Sequence, residues 1–194
     1  MDDNELHAWD GKHFSSLPDK QQGAVYKYIG AFYSDINSHL RGTRNLHPND
    51  VDVYITPHLP HLDKAIRNSR TPKEFDLYRG IAAPVDELHT VFGNAPRVGM
   101  EFRDPGYFSM SRSAQIARMH AGGSSRPGAF MHLKIPANSR ALLTPKQYKG
   151  SEQEVILPRN SKLRISGVQR HQLSAPFESE HSYEIHLQHL GTGK

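Results

Sequence analysis

The sequence predicts an α+β fold, and three observations predict it. Apolar residues in the first third recur at helical spacing. From about residue 75 the apolar runs shorten and alternate, with prolines and glycines between them. The two patterns follow one another rather than interleave, and helices first, strands second, is the order of an α+β chain. The 194 residues suit one domain, expected over 15–194, after a flexible lead at 1–14. Its helical part is expected at about 15–72 and its β-rich part at about 73–194.

Ser16 followed by Asp19 resembles a helix N-cap, with Pro18 in the first turn. Val25, Tyr28, Ile29 and Phe32 then lie on one helical face. Gly30 is expected to break the helix. Tyr33, Ile36, Asn37 and Leu40 continue the stripe to a stop at Arg41-Gly42. Leu62, Ala65 and Ile66 mark a further helix before Thr71-Pro72. "EFDLYRG" reads as a strand, "VDELHTVFG" as a short helix, "GYFSMSRS" as a strand and "SAQIARMHA" as a helical turn. "GGSSRPG" is a loop. "AFMHLKIP", "EVILP", "KLRISGV" and "SYEIHLQHL" are strands.

Composition narrows the chemistry. The chain has no cysteine, which excludes a disulfide framework, a thiolate nucleophile and a cysteine zinc site. The net charge of +4 is dispersed, so a nucleic-acid footprint is weak. No apolar run would span a bilayer, so no membrane role is expected. The acidic start "MDDNELHAWDGKHF" does not read as a Sec-type signal. The thirteen histidines raise the question of a metal. However, "HLPH" (His58, His61) is Pro-flanked, and "HLQH" (His186, His189) lies in a strand, where a spacing of three puts the rings on opposite faces. No metal site is expected.

Three short motifs carry the candidate chemistry. "FDLYRGI" ends a strand in Arg79-Gly80. An arginine fork can bind phosphate, and glycine permits close approach. "FSMSRS" alternates Phe108 and Met110 with Ser109 and Ser111, giving an apolar and a hydroxyl face. No Gly-x-Ser-x-Gly elbow is present, which disfavours a serine hydrolase. "SEQEVILP" sets Glu152 and Glu154 at the mouth of an apolar run. In a continuous strand these carboxylates share a face, roughly 7 Å apart. Each motif alone reads equally as surface: an exposed arginine, a half-exposed strand, a solvated strand end.

Taken in order, arginine, then Ser-x-Ser, then Glu-x-Glu, the motifs resemble those of the arginine–serine–glutamate (R-S-E) class of mono-ADP-ribosyltransferases, of the bacterial toxin and ecto-enzyme type. The resemblance runs from about Leu17 to Leu190, with "AVYKYIGAFYSDINSHLRG" similar to that family's leading helices. It implies a split antiparallel β-sandwich holding NAD+ as co-substrate. It further implies that Arg79 holds an NAD phosphate and that the Gly80 backbone meets the nicotinamide carboxamide. Ser109 would support the cleft and the catalytic glutamate, and Ser111 would line the same site. Glu154 would grip the nicotinamide ribose and stabilise the cation, and Glu152 would orient an arginine acceptor.

"ARMHAGGSSRPG" falls where the family has a phosphate–nicotinamide loop. Arg126 matches its arginine. His120 stands near its missing aromatic, and Tyr148 lies in the loop that often meets the acceptor. Met110 replaces the usual threonine of the serine motif. On this reading the repulsion between the two glutamates is useful, because the transition state supplies the opposite charges. It would also raise one glutamate pKa, helping that group accept a proton from guanidinium.

The expected function is transfer of ADP-ribose to an arginine of a target protein by a monomeric bacterial or phage toxin. Such a toxin would be secreted or injected without a Sec signal, act in a target-cell cytosol and have an immunity protein as a possible partner. The alternatives are an NAD+ glycohydrolase, a non-arginine or nucleic-acid acceptor, and a non-enzymatic binding module on the same fold.

Overall fold

Leu6, Asp10, Phe14 and Leu17 recur at three to four residues, the spacing of one helical face. In the computed structural model that face is buried, with Leu6 and Phe14 at 2% and 1% exposure. Helix α1 therefore spans Asp3–Ser15, where a flexible lead was expected. The structure describes residues 3–82, 92, 95–121, 127–145, 153–173 and 181–192. Of the sequence expectations, "VDELHTVFG" and the "GGSSRPG" loop fall mostly outside these residues.

The chain divides into two compact units. The first comprises Met1–Lys73, Asp104–Ser109 and Pro136–Ser161, and the second Glu74–Arg103, Met110–Ile135 and Lys162–Lys194.

In the first unit, α2 (Asp19–Lys27) begins after Pro18, which takes the N-cap position. Ser16, expected there, instead donates its hydroxyl to the His13 carbonyl at 2.6 Å, closing α1. Gly30 does not break the helix. Tyr28–Phe32 form a π-helical turn that leads directly into α3 (Tyr33–Arg41). A π-turn inserts a residue without ending the helix, and such turns gather at functional sites. Gly42, at φ 65°, ends α3 as expected, and the Thr43 amide donates back to the Ser38 carbonyl. A short α4 (Pro48–Asp50), a second π-turn (Val51–Ile55) and α5 (Leu59–Asn68) follow. The apolar stripe of α5, Leu62, Ala65 and Ile66, is buried with Val25, Tyr28, Ile29, Ile36 and Tyr107 in one core. Two short strands, β5 (Leu142–Leu143) and β6 (Glu154–Leu157), pair antiparallel, and Leu142 and Ile156 join that core.

The second unit holds most of the strands in the order β2-β7-β8-β4-β1-β3, with Asp104 of β2, Phe108 and Ser109 of β3 and Ser161 of β7 counted in the first. Its strands are β1 (Phe75–Ala82), β2 (Glu101–Asp104), β3 (Phe108–Ser111), β4 (Gly128–Ile135), β7 (Ser161–Gln172) and β8 (His181–Thr192). β1 and β4 pair antiparallel from Phe75↔Ile135 to Ala82↔Gly128. β4 and β8 pair parallel from Gly128↔Ser182 to Lys134↔Gln188, the one described departure from the antiparallel expectation. The register stacks Leu77, Leu133 and Leu187 in one buried row and Arg79, Met131 and Ile185 in the next. Helix α6 (Ala114–His120) crosses the opposite face. A Cβ on Gly80 would stand 1.9 Å from the Ala117 carbonyl oxygen, and one on Gly128 2.2 Å from that of Ala121. The two glycines admit the helix.

Strands β1, β3, β4, β6, β7 and β8 match the expected runs. β2 and β5 were not foreseen: β2 (EFRD) holds a single apolar residue and β5 is two residues long, so neither shows a period. The helices-then-strands order and the α+β class are as the sequence predicts.

Candidate active site

The first unit builds a buried polar chain onto Ser109. The segment that leads into β3 is moulded onto α3. Arg41 of α3 holds both oxygens of Asp104 at 2.7 Å, and Asp104 Oδ1 also accepts from the Gly106 amide at 2.9 Å. A side chain at Gly106 would strike Asn37 Oδ1 at 2.7 Å, so glycine lets the strand lie against the helix. The Tyr107 amide then donates to Asn37 Oδ1 at 2.8 Å. That bond fixes which end of the amide is oxygen. Asn37 Nδ2 is therefore the donor to the Tyr28 hydroxyl, 2.9 Å away.

The Tyr28 hydroxyl has one proton of its own. Ser109 Oγ lies at 2.8 Å and the Tyr107 carbonyl at 3.4 Å, so the hydroxyl is within bonding reach of both. Either hydroxyl can be the donor in the Tyr28–Ser109 bond. Tyr28 is fully buried and Asn37 is 4% exposed, so the chain works in a low dielectric, where such networks are rigid and costly to interrupt. Tyr107 is held in turn by Asp63 at 2.8 Å, itself clamped by both arms of Arg159. Burial first, then the Asp63 charge, pushes the Tyr107 phenol far above its usual range, so it stays a neutral donor.

Glu154 opens β6. Its side chain is only 8% exposed, an unusual position for a carboxylate at a strand end. Both the amide and the hydroxyl of Thr144 donate to the Glu154 carbonyl, at 3.0 and 3.1 Å. Gln153, immediately before, has a left-handed backbone at φ 46°. The strand therefore starts at Glu154, and the period-two relation that would put Glu152 and Glu154 on one face does not run through Gln153. Glu152 itself lies outside the described residues, as do Tyr148 and Arg126.

In the second unit, Arg79 shares the β1 face of Phe75 and Leu77 and pairs across to Met131, with its Nε buried. Gly80 is required by α6 packing, a structural demand separate from any role at a ligand. Ser111, 9% exposed, accepts from the Ser113 amide at 2.9 Å, and Ser113 caps α6 by accepting from Ile116 at 3.4 Å. His120 ends α6 and is exposed. Next to it, Arg118 lies over the Phe130 ring at 4.1 Å, a cation–π contact absent from the sequence reading. His186 and His189 fall on opposite faces, as expected. His186 Nδ1 meets His132 Nδ1 at 3.3 Å, and His189 Nε2 is buried. Among the described residues no group of three or more histidines or carboxylates could hold a metal ion, and no helix is long and apolar enough to cross a membrane.

Sequence reasoning passed over Tyr28, Asn37 and Thr144. A signal for the first two was present: an asparagine on an otherwise apolar helical stripe asks for a buried partner. Thr144 gave none.

The fold, a helical lead followed by strands carrying a buried glutamate and a helix-buttressed serine, is that of the bacterial ADP-ribosyltransferase toxins. The chain belongs to the ADP-ribosyltransferase exoenzyme family, whose model matches residues 7–185. Among solved structures, Plx2a, an ADP-ribosyltransferase toxin from Paenibacillus larvae, is 19% identical with a TM-score of 0.70. The match covers 97% of this chain and 96% of that one. An ADP-ribosyltransferase from Clostridium botulinum is 19% identical with a TM-score of 0.65, over 97% and 96% of the two chains. C3stau2 from S. aureus, solved with NAD, is 22% identical with a TM-score of 0.68, over 99% and 97%. At these identities the likeness is one of fold. No curated protein sequence matches the chain.

Proposed function

We propose that the protein transfers ADP-ribose from NAD+ to an arginine side chain of a target protein. The observation that carries this reading is Glu154: a buried carboxylate, fixed through its own carbonyl, at the head of an apolar strand in a chain of this family. A carboxylate held in place before the reaction is suited to a developing cation, because it stabilises charge without reorganising.

In the proposed reaction the bond between nicotinamide nitrogen and ribose C1′ breaks. Nicotinamide leaves with the bonding pair, and C1′ becomes oxocarbenium-like. Glu154 accepts a hydrogen bond from a ribose hydroxyl and faces that charge. A guanidinium nitrogen then forms the new bond to C1′, and its proton passes to Glu152. Arg79 binds a phosphate of NAD+, with Arg126 on the pyrophosphate and Gly80, Ser111 and His120 completing the nicotinamide side. Tyr148 contacts the acceptor. NAD+ is a co-substrate, and the chemistry calls for no metal. The partner is the target protein, with an immunity protein in the producing cell. The protein works as a delivered toxin in a target-cell cytosol.

A second reading, NAD+ hydrolysis, is favoured by the left-handed Gln153, which interrupts the strand relation between the two glutamates. Water then replaces guanidinium as acceptor. Incubation with labelled NAD+ and agmatine separates the two. Transfer predicts label on agmatine, lost in Glu152→Gln while nicotinamide release continues. Release of nicotinamide with no labelled agmatine would select hydrolysis, and equal loss of both activities in Glu152→Gln would refute the division of labour.

A further inference from the structure

Two features bracket Glu154 that the fold does not require. The amide of Thr144 continues the β5–β6 ladder, which pairs Leu142 with Ile156 and Leu143 with Val155. The Thr144 hydroxyl adds a second donor to the same Glu154 carbonyl at 3.1 Å, so both lone pairs of that oxygen are engaged by one residue. A valine would serve the ladder and this buried position, 3% exposed, equally well. On the other side, Gln153 holds φ at 46°. The other described non-glycine residues with positive φ are Asn138 and Asn160. Asparagine tolerates the left-handed region through its short side chain, and glutamine lacks that relief. A residue kept in a sparsely populated conformation next to a candidate catalytic group is a sign that position, rather than stability, is being set.

We propose that Thr144 and Gln153 are positioning residues for Glu154. Thr144 fixes the peptide plane that follows Glu154, and with it the direction of the Cα–Cβ bond that aims the carboxylate. Gln153 acts through its backbone, not its amide: the left-handed turn sets how the chain enters β6, and so the partition between transfer and hydrolysis. The inference rests on the reading of Glu154 as the group that meets the ribose.

The test uses the full chain with NAD+ and agmatine, and follows nicotinamide release, labelled agmatine, thermal melting and amide exchange at position 144. Thr144→Val is expected to lower kcat for nicotinamide release about tenfold, with KM for NAD+ changed by less than about twofold, since misplacement of a reacting group acts on the chemical step. Thr144→Ser should restore the rate. If Thr144→Val does not fold, Thr144→Ala compared with Thr144→Ser carries the same question. Gln153→Gly and Gln153→Asn, both at ease with positive φ, should keep the transfer-to-hydrolysis ratio. Gln153→Val should raise it about fivefold, because a β-branched residue resists the left-handed backbone and favours the extended one that would continue the strand.

A wild-type kcat in Thr144→Val overturns the first assignment, as does equal loss in the valine and serine variants. An unchanged ratio in Gln153→Val, or a changed one in Gln153→Gly, overturns the second. If the unaltered protein releases no nicotinamide, the NAD+ reading fails instead. The Thr144 clamp is then judged by exchange alone: faster exchange at position 144 in Thr144→Val, with the rest of the chain unchanged, supports it, and no difference refutes it.

Discussion

Ser109 owes its orientation to a residue 81 positions away. The Tyr28 hydroxyl bonds to the serine Oγ, and Asn37 Nδ2 donates to that same hydroxyl. Removing the phenol oxygen therefore has two consequences. Tyr28→Phe leaves the buried Asn37 Nδ2 without its acceptor, which costs about 1–3 kcal/mol of stability, measurable by denaturant unfolding. It also removes one of the bonds that hold Ser109, so nicotinamide release should slow while the variant remains folded. A variant of unaltered stability would show that the Asn37–Tyr28–Ser109 chain is not formed as described. None of this was legible in the sequence beyond a polar residue on an apolar stripe, because hydrogen bonds between distant segments leave no periodic trace. What was legible at this scale was residue type and order: an arginine, two serines and two glutamates. For Glu154 the sequence reading of an acidic residue at the mouth of an apolar run agrees with the structure. The same-face pairing of Glu152 with it rested on an extended Gln153, and a single backbone dihedral removes that basis.

Among the elements, the long apolar-periodic segments were the readable ones. α5, α3 and strands β1, β4, β7 and β8 each present enough residues for a period to emerge, whereas β2 and β5 do not. Gly30 shows why a breaker residue misleads: a π-turn absorbs it, and nothing beyond its chain neighbours and the helix's own backbone lies within 4 Å of where its Cβ would be. Gly80 shows the reverse. The sequence suggested that something approaches this glycine closely, and the structure identifies one such neighbour as the backbone of α6. Gly80→Ala must push that helix off β1. Overpacking of this kind costs about 1–3 kcal/mol, and the yielding contact here is backbone. The melting temperature should drop by several degrees. A melting temperature equal to that of the parent would mean that α6 does not sit on Gly80.

At the scale of the whole molecule, burial leaves a pH signature. His189 in the second unit and His13 in the first both have pKa values lowered from 6.5 by burial, and His58 is lowered by burial and by Lys27 and His61. A histidine whose folded pKa lies below its unfolded one binds protons more readily when unfolded. Its contribution to stability is complete above about pH 6.5 and is lost as pH falls through the folded value. Thermal stability should therefore decline between pH 7 and 5, and His189→Gln should flatten that slope. A slope identical to the parent's would exclude His189 as a contributor. The class of fold, by contrast, was written in the order of the elements. The motifs that gave the family were too short to speak alone, and their order made them specific. The N-terminal helix was missed because its polar residues masked a narrow stripe of Leu6 and Phe14.

The most direct test of the account is nicotinamide release from NAD+ by the parent protein and by Glu154→Gln, with circular dichroism confirming that both are folded. The expected result is release by the parent and a loss of at least about a hundredfold in the variant, the scale on which a single group that stabilises a transition-state charge acts. Release by a folded Glu154→Gln at the parental rate would contradict the assignment of this buried carboxylate to the reacting sugar.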